Sequence, residues 1–126
     1  LKKIVKSIET DYDIEIIEKH HHFKKDAPSG TALKFAETIN QSLSKPKPII
    51  KGDSLQNGIH IHSLRLGNYV GEHEVIFSSM EETISLTHIA HDKKVFAVGA
   101  LKAAQFLIKQ APGLYGMDYL FGGHHE

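Results

Sequence analysis

The chain has 126 residues, with fifteen basic and fifteen acidic side chains, ten histidines and no cysteine. This length suits one domain of common size and leaves no room for a second, and zero formal charge without a long like-charge run argues against a nucleic-acid face or a membrane-surface patch. Lack of cysteine excludes disulfides, thiolate zinc sites and a cysteine nucleophile, and no apolar run approaches the ~20 residues of a membrane span, so a cytoplasmic protein is expected.

Residues 1–10 carry Leu1, Ile4, Val5 and Ile8 at helical spacing with lysines between, which predicts a short amphipathic helix entered partway along its length. A preceding domain is therefore expected. Residues 13–18 alternate polar with isoleucine-rich apolar positions and predict a half-buried strand that ends at His20, His21 and His22. Pro28, Ser29, Gly30 and Thr31 then supply helix-start signals, and Ala32, Ala36, Ile39 and Leu43 form one apolar stripe, so a helix should run to about Ser44.

Two prolines and a glycine mark residues 45–54 as a loop. Three strands follow, over 59–66, 72–78 and 83–90, and their short connections predict an antiparallel meander. Alternation of Thr83, Ser85 and Thr87 with Ile84, Leu86 and His88 leaves one sheet face semi-polar and suited to a ligand or a partner subunit. Residues 95–108 predict a helix apolar on most sides, which needs cover all round. Residues 111–121 hold a Pro-Gly stop and aromatics without a helix or strand period, and 122–126 read as a flexible tail containing His124 and His125.

The junction of the first strand with the helix carries the chemistry. The first amides of a helix lack internal acceptors and favour an anion. Lys24 and Lys25 add positive charge there, and imidazole can give or take a proton near neutral pH. The local reading is acid–base chemistry on an acidic metabolite. Successive histidines of an extended chain point to opposite sides, so the triplet predicts no metal site. His60 and His62 share a strand face and could take a metal adventitiously, though a polar sheet face is the plainer reading.

The run Glu15-Ile-Ile-Glu-Lys-His-His-His-Phe-Lys-Lys-Asp-Ala-Pro-Ser-Gly-Thr-Ala32 resembles the signature of the dihydrodipicolinate reductase family of lysine and diaminopimelate biosynthesis. Arg65-Leu-Gly-Asn-Tyr-Val-Gly-Glu-His73, Leu86-Thr-His88, Phe96-Ala-Val-Gly-Ala100 and Pro112-Gly-Leu-Tyr115 resemble that family's later segments in the same order. The resemblance implies an α+β fold, a mixed and largely antiparallel sheet with helices on one face. Residues 1–121 would be the substrate-binding and oligomerising domain, separated from its Rossmann domain.

The same resemblance implies catalytic roles for His20 and Lys24, and substrate binding by His21, Gly30 and Thr31; it gives His22 no role. It further implies NADH- or NADPH-dependent reduction of a cyclic unsaturated dicarboxylate, by a homotetramer built through the sheet. No G-x-G-x-x-G occurs, so this chain alone is expected to bind neither nicotinamide cofactor. Lys93-Lys94 stand where the family tends to have an arginine, keeping the charge without the bidentate fork. The substrate domain of another nicotinamide-dependent dehydrogenase, or a non-enzymatic module for acidic metabolites or metal, would carry some of the same features.

Overall fold

The computed structural model describes residues 1–8 and 11–122. Helix α1 (Lys2–Ser7) is followed by strand β1 (Asp13–His20), helix α2 (Gly30–Ser42), strands β2 (Ile49–Lys51), β3 (Ile59–Arg65), β4 (Gly71–Ser78) and β5 (Thr83–Ala90), and helices α3 (Lys94–Leu107) and α4 (Met117–Leu120). The fold is α+β. The expected helix over 1–10 ends at Ser7, its last two positions lying outside the described residues, as does the tail beyond Gly122.

The five strands form one open mixed sheet in the order β2-β3-β1-β4-β5. β3 is parallel to both β2 and β1, and β4 is antiparallel to both β1 and β5. Parallel and antiparallel pairings are thus equal in number, and the predicted meander is corrected. Only its β4–β5 hairpin stands, because β1 inserts between β3 and β4. The unit β1–α2–β3 is instead a parallel crossover, the connection that parallel neighbours require. Two elements escaped the sequence reading. β2 forms an edge within the expected loop over 45–54, and α4 is a single turn within residues 111–121.

The chain forms two compact units, Leu1–His91 and Asp92–Glu126. In the first, strand alternation directs Ile14 and Ile16 of β1, Ile59 and Ile61 of β3, and Val75 and Phe77 of β4 into one core with Val5 of α1 and Ala32, Ala36 and Ile39 of α2. Ser29 caps α2 by accepting a hydrogen bond from the Ala32 amide at 3.3 Å, and the stripe read from the sequence is the face that α2 turns to the sheet. The opposite sheet face carries Glu15, Ile17, Lys19, Glu72 and Glu74, all half-buried, beside the exposed Thr83, Ser85 and Thr87 of β5. In the second unit, neither α3 nor α4 has a buried residue.

Candidate active site

Glu18 is in phase with Ile14 and Ile16 on β1, so the alternation that builds the core also carries a carboxylate into it, and Glu18 is 0% exposed. A buried carboxylate is costly unless its oxygens are satisfied. Register supplies the partners: His20 lies opposite Arg65, the last residue of β3. Arg65 donates Nη1–H to Glu18 Oε2 and Nη2–H to Oε1, each at 2.9 Å. The Ser29 amide donates to Oε1 at 3.0 Å, and His20 Nδ1 lies 2.5 Å from Oε2.

Burial alone would raise the Glu18 pKa. Hydrogen bonds from Arg65, His20, Ser63 and Ser29 together outweigh it, and hold the carboxyl at about 2 against an ordinary 4.5. Glu18 is therefore ionised at neutral pH and can only accept. His20 Nδ1 must then be the donor, which leaves Nε2 without a hydrogen when the ring is neutral.

The edge of His20 bearing Nε2 faces Gly71 of β4, where an added Cβ would sit 3.5 Å from that nitrogen. The His73 ring stands edge-on to His20, with centroids 5.1 Å apart. His73 is 8% exposed, and its Nε2 pairs with Ser29 Oγ at 3.1 Å. Burial, followed by the nearby His20, lowers its pKa, while Glu18 pulls the other way. His73 is thus a neutral wall rather than a second acid. Ser29 joins the parts, since its amide meets Glu18 and its hydroxyl meets both His73 and the first turn of α2.

Gly30 and Thr31 follow directly as the first two residues of α2, and both are exposed. Their amides belong to the set that has no acceptor within the helix. Lys24 is half-buried, and its ammonium pairs with Asp26 at 2.9 Å, an interaction that lowers the Asp26 pKa. The Lys24 carbonyl accepts from Arg65 Nε at 3.2 Å. His21 is half-buried and anchors the turn through its carbonyl, which accepts from the Lys24 amide at 3.1 Å. His22 is exposed and reaches Phe23 edge-on.

The five residues picked from the sequence therefore lie along one connection, the end of β1 through the start of α2. Glu18, Arg65, His73 and Ser29 complete that junction, and sequence reasoning missed them as functional groups. The available signal was Glu18 itself, an acid in the apolar phase of a strand.

On the other sheet face, the Glu15 carboxylate bridges His60 at 2.8 Å and His62 at 2.7 Å. Among the described residues, no three histidine or acidic groups are placed to hold a metal ion. A cleft of about 620 Å³ is lined by Tyr12, Lys47, Asn57 and His60 among others. It opens at the far end of β1, roughly 23 Å of strand from His20, and none of the junction residues lines it. No described helix is long and apolar enough to cross a membrane.

The family model described as dihydrodipicolinate reductase, C-terminus, matches residues 1–121. The chain belongs to this family. It is 49% identical over 126 residues to the 4-hydroxy-tetrahydrodipicolinate reductase of Caldanaerobacter subterraneus subsp. tengcongensis, covering 95% of this chain and 50% of that protein. It is 46% identical over 123 residues to the enzyme of the same name from Clostridium tetani, covering 94% and 48%. Among solved structures, it resembles a dipicolinate-bound dihydrodipicolinate reductase from Paenisporosarcina sp. TG-14, with a TM-score of 0.71 and 27% identity over 94% of this chain and 48% of that one. The chain thus spans about half the length of the curated reductases it matches.

Proposed function

We propose that residues 1–121 act as the substrate-binding, acid–base and oligomerising part of a cytoplasmic, NADH- or NADPH-dependent 4-hydroxy-tetrahydrodipicolinate reductase. The substrate is a cyclic unsaturated dicarboxylate, and dipicolinate in the related Paenisporosarcina reductase is a ligand of that chemistry. The observation that carries the reading is the Glu18–His20 hydrogen bond beside the first turn of α2.

Amides at a helix start favour carboxylates, so Gly30 and Thr31 hold one carboxylate with help from the Thr31 hydroxyl and from His21. Lys24, steadied by Asp26, stands beside the charge that develops during reduction. His20 delivers a proton from Nε2, and the ionised Glu18 behind Nδ1 stabilises the ring when it is charged.

The turn from β1 to α2 does not suit the pyrophosphate of a nicotinamide cofactor. In the parallel turn between β1 and α2, residues 21–29 contain no glycine, and the Ser29 amide is taken by Glu18. A dinucleotide pyrophosphate needs a glycine-rich turn with free amides. The reading therefore assigns cofactor binding to residues outside this chain and predicts no NADH or NADPH binding by the chain alone. The semi-polar outer sheet face supports a homotetramer, and light scattering of only monomer at tens of micromolar would contradict that.

The activity is tested in a protein carrying both this chain and a nucleotide-binding domain. His20→Ala is expected to lower turnover by ~10² to 10⁴, the usual worth of a positioned acid or base. Unchanged turnover at neutral pH with saturating substrate would remove His20 from the mechanism.

A further inference from the structure

Arg65 closes the junction, and every hydrogen it can donate is already committed. A guanidinium has five N–H groups in a fixed fork and no acceptor. Here Nε–H goes to the Lys24 carbonyl at 3.2 Å, and Nη1 serves Glu18 Oε2 at 2.9 Å and the Leu64 carbonyl at 2.8 Å. Nη2 serves Glu18 Oε1 at 2.9 Å and the Asp26 carbonyl at 2.5 Å. An arginine beside an anion site invites the reading of a carboxylate ligand, but this one has no donor left to offer. Apart from the neighbouring Leu64 carbonyl, its partners divide into two sets: the carboxylate that orients His20, and the backbone on either side of Lys25, which carries Lys24 and its counter-ion Asp26.

We infer that Arg65 and Glu18 form a positioning pair, in which Arg65 fixes the His20 ring through Glu18 and the Lys24 loop through its carbonyls, without touching the substrate. The pair couples the two groups assigned to proton handling and charge stabilisation, so the inference rests on the function proposed above. Glu18 makes the Nδ1–H tautomer of neutral His20 the only one with a satisfied hydrogen bond, which keeps Nε2 free at the Gly71 edge. Lysine cannot replace the fork, because one ammonium carries three donors and cannot span a carboxylate and the three carbonyls at once.

Long-range ¹H–¹⁵N spectra of the histidine rings, recorded on the 126-residue chain, read the tautomer directly, with His60, paired to Glu15 on the opposite sheet face, as an internal reference. The expected result is Nδ1–H for neutral His20. In Glu18→Leu/Arg65→Met, which removes both buried charges together, His20 should move to Nε2–H, while affinity for pyridine-2,6-dicarboxylate falls no more than about tenfold. If that double variant does not give a folded amide spectrum, Arg65→Lys takes its place. Glu18 stays charged in it, so His20 should remain Nδ1–H with the same limit on lost affinity.

An Nε2–H tautomer in the unsubstituted chain would overturn the inference. So would a loss of dicarboxylate affinity of a hundredfold or more with the His20 tautomer unchanged, since Arg65 would then be a ligand contact. Failure of the parent reading looks different: His20 would be Nδ1–H, yet its ring signals would not respond to saturating pyridine-2,6-dicarboxylate.

Discussion

Helices α2 and α3 are nearly equal in length, thirteen and fourteen residues, and meet opposite fates. α2 buries Ala32, Ala36 and Ile39 in the core, whereas α3 buries nothing, although its sequence is the more apolar of the two. Leu101 on α3 is 66% exposed, and Val95, Phe96, Val98 and Leu107 are exposed with it. Apolar content does not by itself decide burial. A helix is buried when its stripe matches a sheet folded from the same residues, as α2's matches Ile14, Ile16, Ile59 and Ile61. A helix apolar over most of its surface and left exposed marks a site of interaction. The function proposed above assigns α3 and residues 111–121 to contact with chain outside these residues.

That contrast can be broken by mutation, and the largest effect belongs to the core. Phe77→Ala removes a fully buried ring and should cost about 3–5 kcal/mol in urea unfolding followed by circular dichroism. The next effect comes from acid. The Glu18 carboxyl titrates at about 2 in the fold and at 4.5 ordinarily, so its contribution is complete above pH 4.5 and disappears as pH falls toward 2. This amounts to about 3 kcal/mol.

His73 acts in the same direction. Its folded pKa is depressed, so protonation is resisted in the fold, and stability declines as pH drops below 6.5. Unfolding curves at pH 7, 5 and 3 should therefore show falling stability, and Glu18→Gln should flatten the step below pH 4.5. Smallest of all, Leu101→Ser should change the stability of this chain by no more than about 0.5 kcal/mol. A loss matching that of Phe77→Ala would show that α3 is covered within the chain and would erase the contrast.

Local pattern carried most of the elements into the sequence reading. The alternation over 13–18, the stripe from Ala32 to Leu43 and the apolar run over 95–108 correspond to β1, α2 and α3 within about two residues. Strand order was not legible, because short connections favour neighbours while pairing is decided over long sequence separations. β1 enters between β3 and β4, where its two-sided ladder aligns Ile16 with both Ile61 and Val75. β2 was hidden by the prolines around it. At the site, sequence placed His20 at a strand end beside a helix start, and the fold has it there. The Glu18–Arg65 pair spans 47 positions, and no local pattern reveals a partner at that distance. Glu18 itself was legible only as an acid in the apolar phase of β1, without its partners.

The dicarboxylate proposed to sit at the junction of β1 and α2 next to His20 can be measured by calorimetric titration of the chain with pyridine-2,6-dicarboxylate. Charge-assisted hydrogen bonds are worth ~1.5 to 3 kcal/mol, so His21→Ala should weaken binding roughly tenfold to a hundredfold, and His20→Ala should weaken it less. Absence of binding by the unsubstituted chain, or binding that survives His21→Ala but is lost in His60→Ala on the opposite sheet face, would contradict the account.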